Sequence, residues 1–92
     1  MTRVIHIKDK ELDGANFSSN EVYIGRPSIW GNPFVIGKDG SREEVIDKYE
    51  DYIMYNDELM SNLHTLRGKA LVCYCKPQAC HGDVLVKLVD RF

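Results

Sequence analysis

Apolar and polar residues alternate through Arg3-Val4-Ile5-His6-Ile7-Lys8, the two-residue period of a half-buried strand, and the run is rich in β-branched side chains. Val22-Tyr23-Ile24-Gly25 repeats that pattern on a shorter scale. Between them, Asp9 to Asn20 holds Asp13-Gly14 and Ser18-Ser19-Asn20 and reads as a loop, long enough to line a site. The period changes after Lys38-Asp39-Gly40. Val45, Ile46, Tyr49, Tyr52 and Ile53 recur at helical spacing, a helix of about four turns. Ser41-Arg42-Glu43-Glu44 supplies its capping box. Asn56-Asp57 breaks this helix and caps a shorter one carrying Leu59, Leu63 and Leu66, with Gly68 as its stop. Lys69 to Cys75 is nearly continuous apolar, as expected of a central strand buried on both faces. Val84, Leu85, Leu88, Val89 and Phe92 form the stripe of a last helix.

The order β-β-α-α-β-α predicts a single α/β domain over residues 1–92, a small sandwich whose sheet is at least partly parallel. Ninety-two residues leave no room for a second core. In open α/β sheets, ligands bind beyond the carboxyl ends of strands. If the second and third strands run parallel, Gly25-Arg26 and the segment after Cys75 share one rim. A two-walled pocket is the expectation.

Composition narrows the classes. Charged residues are 28% and apolar residues 43% of the chain, the balance of a soluble globular protein. A net charge of −2 gives no global basic field, so nucleic acid is not the expected partner. A local basic patch forms only if Arg26, Lys38, Arg42, Lys69 and Lys76 converge in the fold. No apolar run reaches membrane-spanning length and the start is not a signal peptide, so a cytoplasmic protein is expected.

All three cysteines lie in Cys73-Tyr74-Cys75-Lys76-Pro77-Gln78-Ala79-Cys80-His81-Gly82-Asp83, where a strand turns into a helix. Three thiols in eight positions are not a disulfide scaffold. A zinc set of Cys73, Cys75, Cys80 and His81 is one reading. An extended strand would hold the first two Cβ atoms roughly 7 Å apart, and no Cys-x2-Cys knuckle is present, so no metal or cofactor is assigned. A thiol-dependent or acid/base enzyme would use Cys80, His81 and Asp83. A purely structural segment would bury the cysteines and cap the helix with His81 and Asp83. A binding wall would use Cys75 together with the backbone N–H groups of Gly82 and Asp83 at the helix N-terminus.

The opposite wall is Gly25-Arg26-Pro27 and Trp30-Gly31-Asn32-Pro33-Phe34. Arg26 leaves a rigid turn and suits bidentate capture of phosphate or carboxylate. Trp30 is either a core anchor or a platform for a planar ring, and Asn32 can read that ring's edge. His6 and His64 read as surface residues, Tyr23, Tyr49, Tyr52 and Tyr55 as packing, and Asp47, Glu50 and Asp51 as a solvated helix face.

Val22-Tyr23-Ile24-Gly25-Arg26-Pro27, Trp30-Gly31-Asn32-Pro33-Phe34, Ser41-Arg42-Glu43-Glu44 and Cys73-x-Cys75-x4-Cys80-His81-Gly82-Asp83 occur in this order. Together they resemble the domain-of-unknown-function 4326 family, small proteins of phages and bacteria. The likeness runs from about Val22 to Leu88. It implies a compact α/β domain and a phage source, with the host cytoplasm as its location, and brings no activity with it.

The expected function is binding of a phosphorylated nucleotide or related metabolite by Gly25, Arg26, Trp30, Asn32, Cys75, Gly82 and Asp83. A phage factor that sequesters a nucleotide signal extends that expectation. The alternatives are the enzyme acting on nucleosides or nucleotides and a zinc-stabilised interaction module. A homo-oligomer would help so small a chain to complete a pocket.

Overall fold

Among the described residues three strands form, at Arg3–His6 (β1), Glu21–Tyr23 (β2) and Ala70–Cys73 (β3). Three α-helices form at Arg42–Met54 (α1), Asp57–Asn62 (α2) and His81–Arg91 (α3), with 3-10 turns at Ile7–Asp9 and Leu63–Leu66. The computed structural model describes residues 1–12, 16–75 and 78–92. The Asp13-Gly14 turn and Lys76 of the expected basic patch lie outside the described residues. Among the described residues, no helix is long and apolar enough to cross a membrane.

The sheet order is β1-β3-β2, and both outer strands run parallel to β3. Val4 and Val22 each align with Leu71, on opposite sides of the central strand. All four β3 residues are buried, which is why Ala70 to Cys73 shows no alternation. The β2 ladder runs one bond past the strand, with Ile24 N–H donating to the Val72 carbonyl at 3.0 Å. The parallel sheet therefore ends β2 and β3 on the same rim.

Local chemistry sets the helix starts. The Ser41 hydroxyl accepts from the Glu44 N–H while the Glu44 carboxylate accepts from the Ser41 N–H, completing the expected box. The Asn56 side chain accepts from the Leu59 N–H at 3.1 Å and starts α2. Gly68, at φ +77°, releases the chain toward β3. Helix α3 begins three residues before the apolar stripe at Val84. Its box is built by Cys80, whose sulfur accepts from Gly82 N–H at 3.4 Å, and by Asp83, whose carboxylate accepts from Cys80 N–H at 3.1 Å.

Helix α3 packs on β1 and against α1, burying Leu85, Leu88 and Val89 with Tyr49, Ile53 and Leu71. Gly82 is the point of closest approach. A Cβ there would stand 2.8 Å from Ile24 Cδ1 and 3.0 Å from Val4 Cγ2. Gly82→Ala is expected to lower stability by about 1–3 kcal/mol through overpacking. The shift of the urea midpoint at unchanged slope checks it.

Candidate functional site

A cleft of about 480 Å³ opens at the carboxyl ends of β2 and β3. One wall is the turn after β2 with the segment through Ile36, and the other is the turn between β3 and α3. The first turns of α1 close the side with Arg42, Val45 and Ile46. Gly25, Arg26, Asn32, Cys75, Cys80 and His81 all line this cleft, so the structure brings together six of the nine residues singled out in the sequence.

Trp30, Gly82 and Asp83 are not among the lining residues. Trp30 is a core anchor at 4% exposure, and its carbonyl accepts from the buried Tyr49 hydroxyl at 2.6 Å. The reading of Trp30 as an open stacking platform is thereby corrected. The N–H groups of Gly82 and Asp83 are spent inside the cap, on Cys80 Sγ and on the Cys80 carbonyl at 2.9 Å. The anion-binding role expected of them is replaced by capping, and the Asp83 carboxylate serves the same cap. Tyr55, expected to pack, is 87% exposed.

Tyr23, Phe34 and Tyr74 give the cleft its aromatic surface, a place expected of Phe34 but not of Tyr23 or Tyr74. Arg42 has a larger part in the cleft than its place in the capping box suggested. A cation in the first turn of a helix opposes the helix dipole, which was the available signal that Arg42 answers to something else.

Arg26 launches from its turn as expected, but its guanidinium is partly committed. Nε donates to the Asn32 carbonyl at 2.8 Å and Nη2 to the Phe34 carbonyl at 3.1 Å. This holds the Asn32–Phe34 loop against the turn and leaves Nη1 without a hydrogen bond among the described residues. Asn32 is fixed in turn, its amide donating to the Val45 carbonyl at 3.2 Å and its oxygen accepting from Phe34 N–H at 2.9 Å. Arg42 reaches across the cleft, where Nη1 donates to the Ala79 carbonyl at 3.0 Å. The two arginines thus brace both walls while presenting charge between them.

On the floor, His81 Nε2 lies 2.8 Å from the Ile24 carbonyl. A carbonyl only accepts, so Nε2 carries the proton and Nδ1 keeps its lone pair. Burial pushes the His81 pKa down, so the ring is neutral at physiological pH. Nδ1 lies 3.6 Å from Cys80 Sγ, and Cys80 Sγ lies 3.1 Å from Cys73 Sγ. The neighbouring Cys73 thiol, then burial, push the Cys80 thiol far up from its ordinary value. On its own it is a poor source of thiolate, which argues against Cys80 as a nucleophile.

The sulfurs of Cys73, Cys75 and Cys80 all lie within 4.8 Å of one another, and no disulfide joins them. The strand geometry assumed for Cys73 and Cys75 does not hold. β3 ends at Cys73, the chain bends at Tyr74, and Cys75 returns toward its neighbours. Three thiols on one spot of the cleft floor are the group most able to hold a metal here.

A model of the family described as "Domain of unknown function (DUF4326)" matches residues 7–91. The chain is similar to an uncharacterised 12.4 kDa protein from the nrdA-td intergenic region of Enterobacteria phage T4, 42% identical over 79 residues. That match covers 80% of this chain and 71% of the phage protein. It is also similar to the uncharacterised protein R718 of Acanthamoeba polyphaga mimivirus, at 33% identity over 113 residues, covering 100% of this chain and 86% of the viral one. No solved structure matches. With 85 of 92 residues inside the family's span, and two viral relatives aligned over most of their lengths, the chain belongs to the DUF4326 family.

Proposed function

We propose that this protein binds a small anionic ligand with a flat, partly apolar body, a phosphorylated nucleotide or a close relative, in the cleft between the Arg26 turn and the Cys75–His81 turn. The charge of the lining carries the reading. The chain has 14 acidic and 12 basic residues, yet among the described residues the cleft is lined by Arg26 and Arg42 and by no carboxylate. Such a concave surface concentrates positive potential against the sign of the whole molecule. Guanidinium groups match phosphate oxygens in geometry as well as charge.

The rest of the lining suits the remainder of such a ligand. Tyr23, Phe34 and Tyr74 offer aromatic faces, and Val35, Ile36 and Ile46 an apolar side. The cleft volume falls in the ordinary range for small-molecule sites. Without a metal, the neighbouring Cys73 and burial disfavour a Cys80 thiolate, which favours binding over thiol catalysis. In a phage setting, sequestration of a host nucleotide signal fits a pocket of this kind.

Differential scanning fluorimetry against nucleoside mono-, di- and triphosphates and their unphosphorylated nucleosides tests the reading. A ligand at a hundredfold excess over its Kd adds about 2.7 kcal/mol to native stability, a rise in Tm of roughly 10–20 °C for a domain this small. Stabilisation by phosphorylated members and not by nucleosides is the expected result. A flat response across the panel, with no small molecule retained in native mass spectrometry, removes the proposal.

A further inference from the structure

We propose that Cys73, Cys75, Cys80 and His81 bind one zinc ion on the cleft floor, a site that stands independently of the nucleotide reading. Three sulfurs come together from the end of β3, the bend after it and the start of α3. His81 Nδ1 stands beside one of them, Cys80 Sγ, so the imidazole must shift toward the other two to complete the set. Three sulfurs and one imidazole nitrogen form a tetrahedral set typical of structural zinc.

The distances support it. Zinc bonds of about 2.3 Å to sulfur and 2.0–2.1 Å to nitrogen put tetrahedral S···N near 3.5 Å and S···S near 3.8 Å. Cys80 Sγ and His81 Nδ1 are 3.6 Å apart. The three sulfurs span no more than 4.8 Å, and Cys73 and Cys80, at 3.1 Å, need open by only about 0.7 Å to admit the ion.

The surroundings are those a zinc site needs. The Ile24 carbonyl holds the Nε2 proton and leaves the Nδ1 lone pair on the side of Cys80 Sγ. Gly82 N–H donates to Cys80 Sγ at the N-terminus of an 11-residue helix, and both contacts favour a thiolate there. Two thiolates this close repel unless a cation lies between them. Buried thiols that are costly to ionise alone become an ordinary ligand pair once the metal is present. With four protein ligands the ion is closed to substrate, and its work is to pin the β3–α3 turn that forms one wall of the cleft.

The test uses the chain purified with a metal-free reductant and no added chelator. Elemental analysis is expected to find about one zinc per chain, and uptake by the apo protein to release roughly three protons per metal. Cobalt substitution is expected to give a thiolate-to-cobalt charge-transfer band with tetrahedral d–d bands. Cys75→Ser changes the half-buried ligand and leaves the two buried ones in place. It should weaken zinc binding by more than the roughly 10–100-fold typical of losing an outer-shell partner. Failure of the apo protein to take up stoichiometric zinc overturns the proposal. So do a cobalt spectrum without the thiolate band, isolation of a metal-free Cys73–Cys80 disulfide, or wild-type affinity in Cys75→Ser. If that variant does not fold, the wild-type cobalt spectrum and zinc count still decide.

Discussion

Tyr49→Ala should leave little folded protein at 37 °C. Tyr49 is the largest fully buried side chain, packed with its ring edge-on to His81 at 5.0 Å between centroids. Truncating a buried aromatic costs about 3–5 kcal/mol. The Trp30 carbonyl would also lose the hydroxyl that satisfies it, worth about 1–3 kcal/mol when buried. A domain of this size falls in the lower part of the usual stability range of about 5–15 kcal/mol. Tyr49→Phe separates the two contributions, since it keeps the ring and deletes only the hydroxyl. It is expected to fold and to lose about 1–3 kcal/mol. Urea denaturation of both variants checks this, and equal loss in the two would show that the hydroxyl carries everything and the ring nothing.

The largest functional effect is expected from the arginines. Arg26→Gln with Arg42→Gln removes the two cations that line the cleft among the described residues. A hydrogen bond to a charged group contributes about 1.5–3 kcal/mol, so each loss should weaken an anionic ligand roughly 10–100-fold, and the pair more than about 100-fold. The single variants should differ in stability. Arg26 ties down two loop carbonyls and Arg42 only one, so Arg26→Gln is the more destabilising. Lys38→Gln removes a cation outside the lining and should change affinity by no more than roughly twofold, because screened surface charges act weakly at a distance. Isothermal titration with the best nucleotide from the panel measures all four proteins. An unchanged Kd in the double variant would mean that the cleft's charge does not hold the ligand.

The elements were legible in the sequence because each has a local cause. Ser41 with Glu44, Asn56 and Gly68 mark helix ends by hydrogen bonds that span only a few residues. The apolar run at Ala70–Cys73 announced the central strand for the same reason. What the sequence hid was non-local or depended on one residue of strand length. The strand stops at Cys73 and not Cys75, and that difference decides whether the thiols diverge along a pleat or converge. The cap of α3 is built by a cysteine, a residue outside the usual N-cap set, so the helix start at His81 gave no ordinary signal. Trp30 could stack a ligand or fill the core, and only the Tyr49 bond from a distant helix settles it as core. Arg42 reached the site by the folding of α1 across the cleft, which no spacing in the sequence encodes.

Of the three strands described, the central one is synthesised last. Arg3 must find Ala70, and Glu21 must find that same residue from the other side. Until Ala70–Cys73 has left the ribosome, neither earlier strand has a neighbour to bond with, so α1 and α2 can begin to coil while the sheet waits. Assembly of the sheet is therefore deferred until β3 has emerged, and the two earlier strands stay open to chaperones until then. Nascent chains arrested before residue 70 should be protease-sensitive throughout β1 and β2, whereas chains extended past α3 by a linker that clears the exit tunnel should gain protection in both strands together.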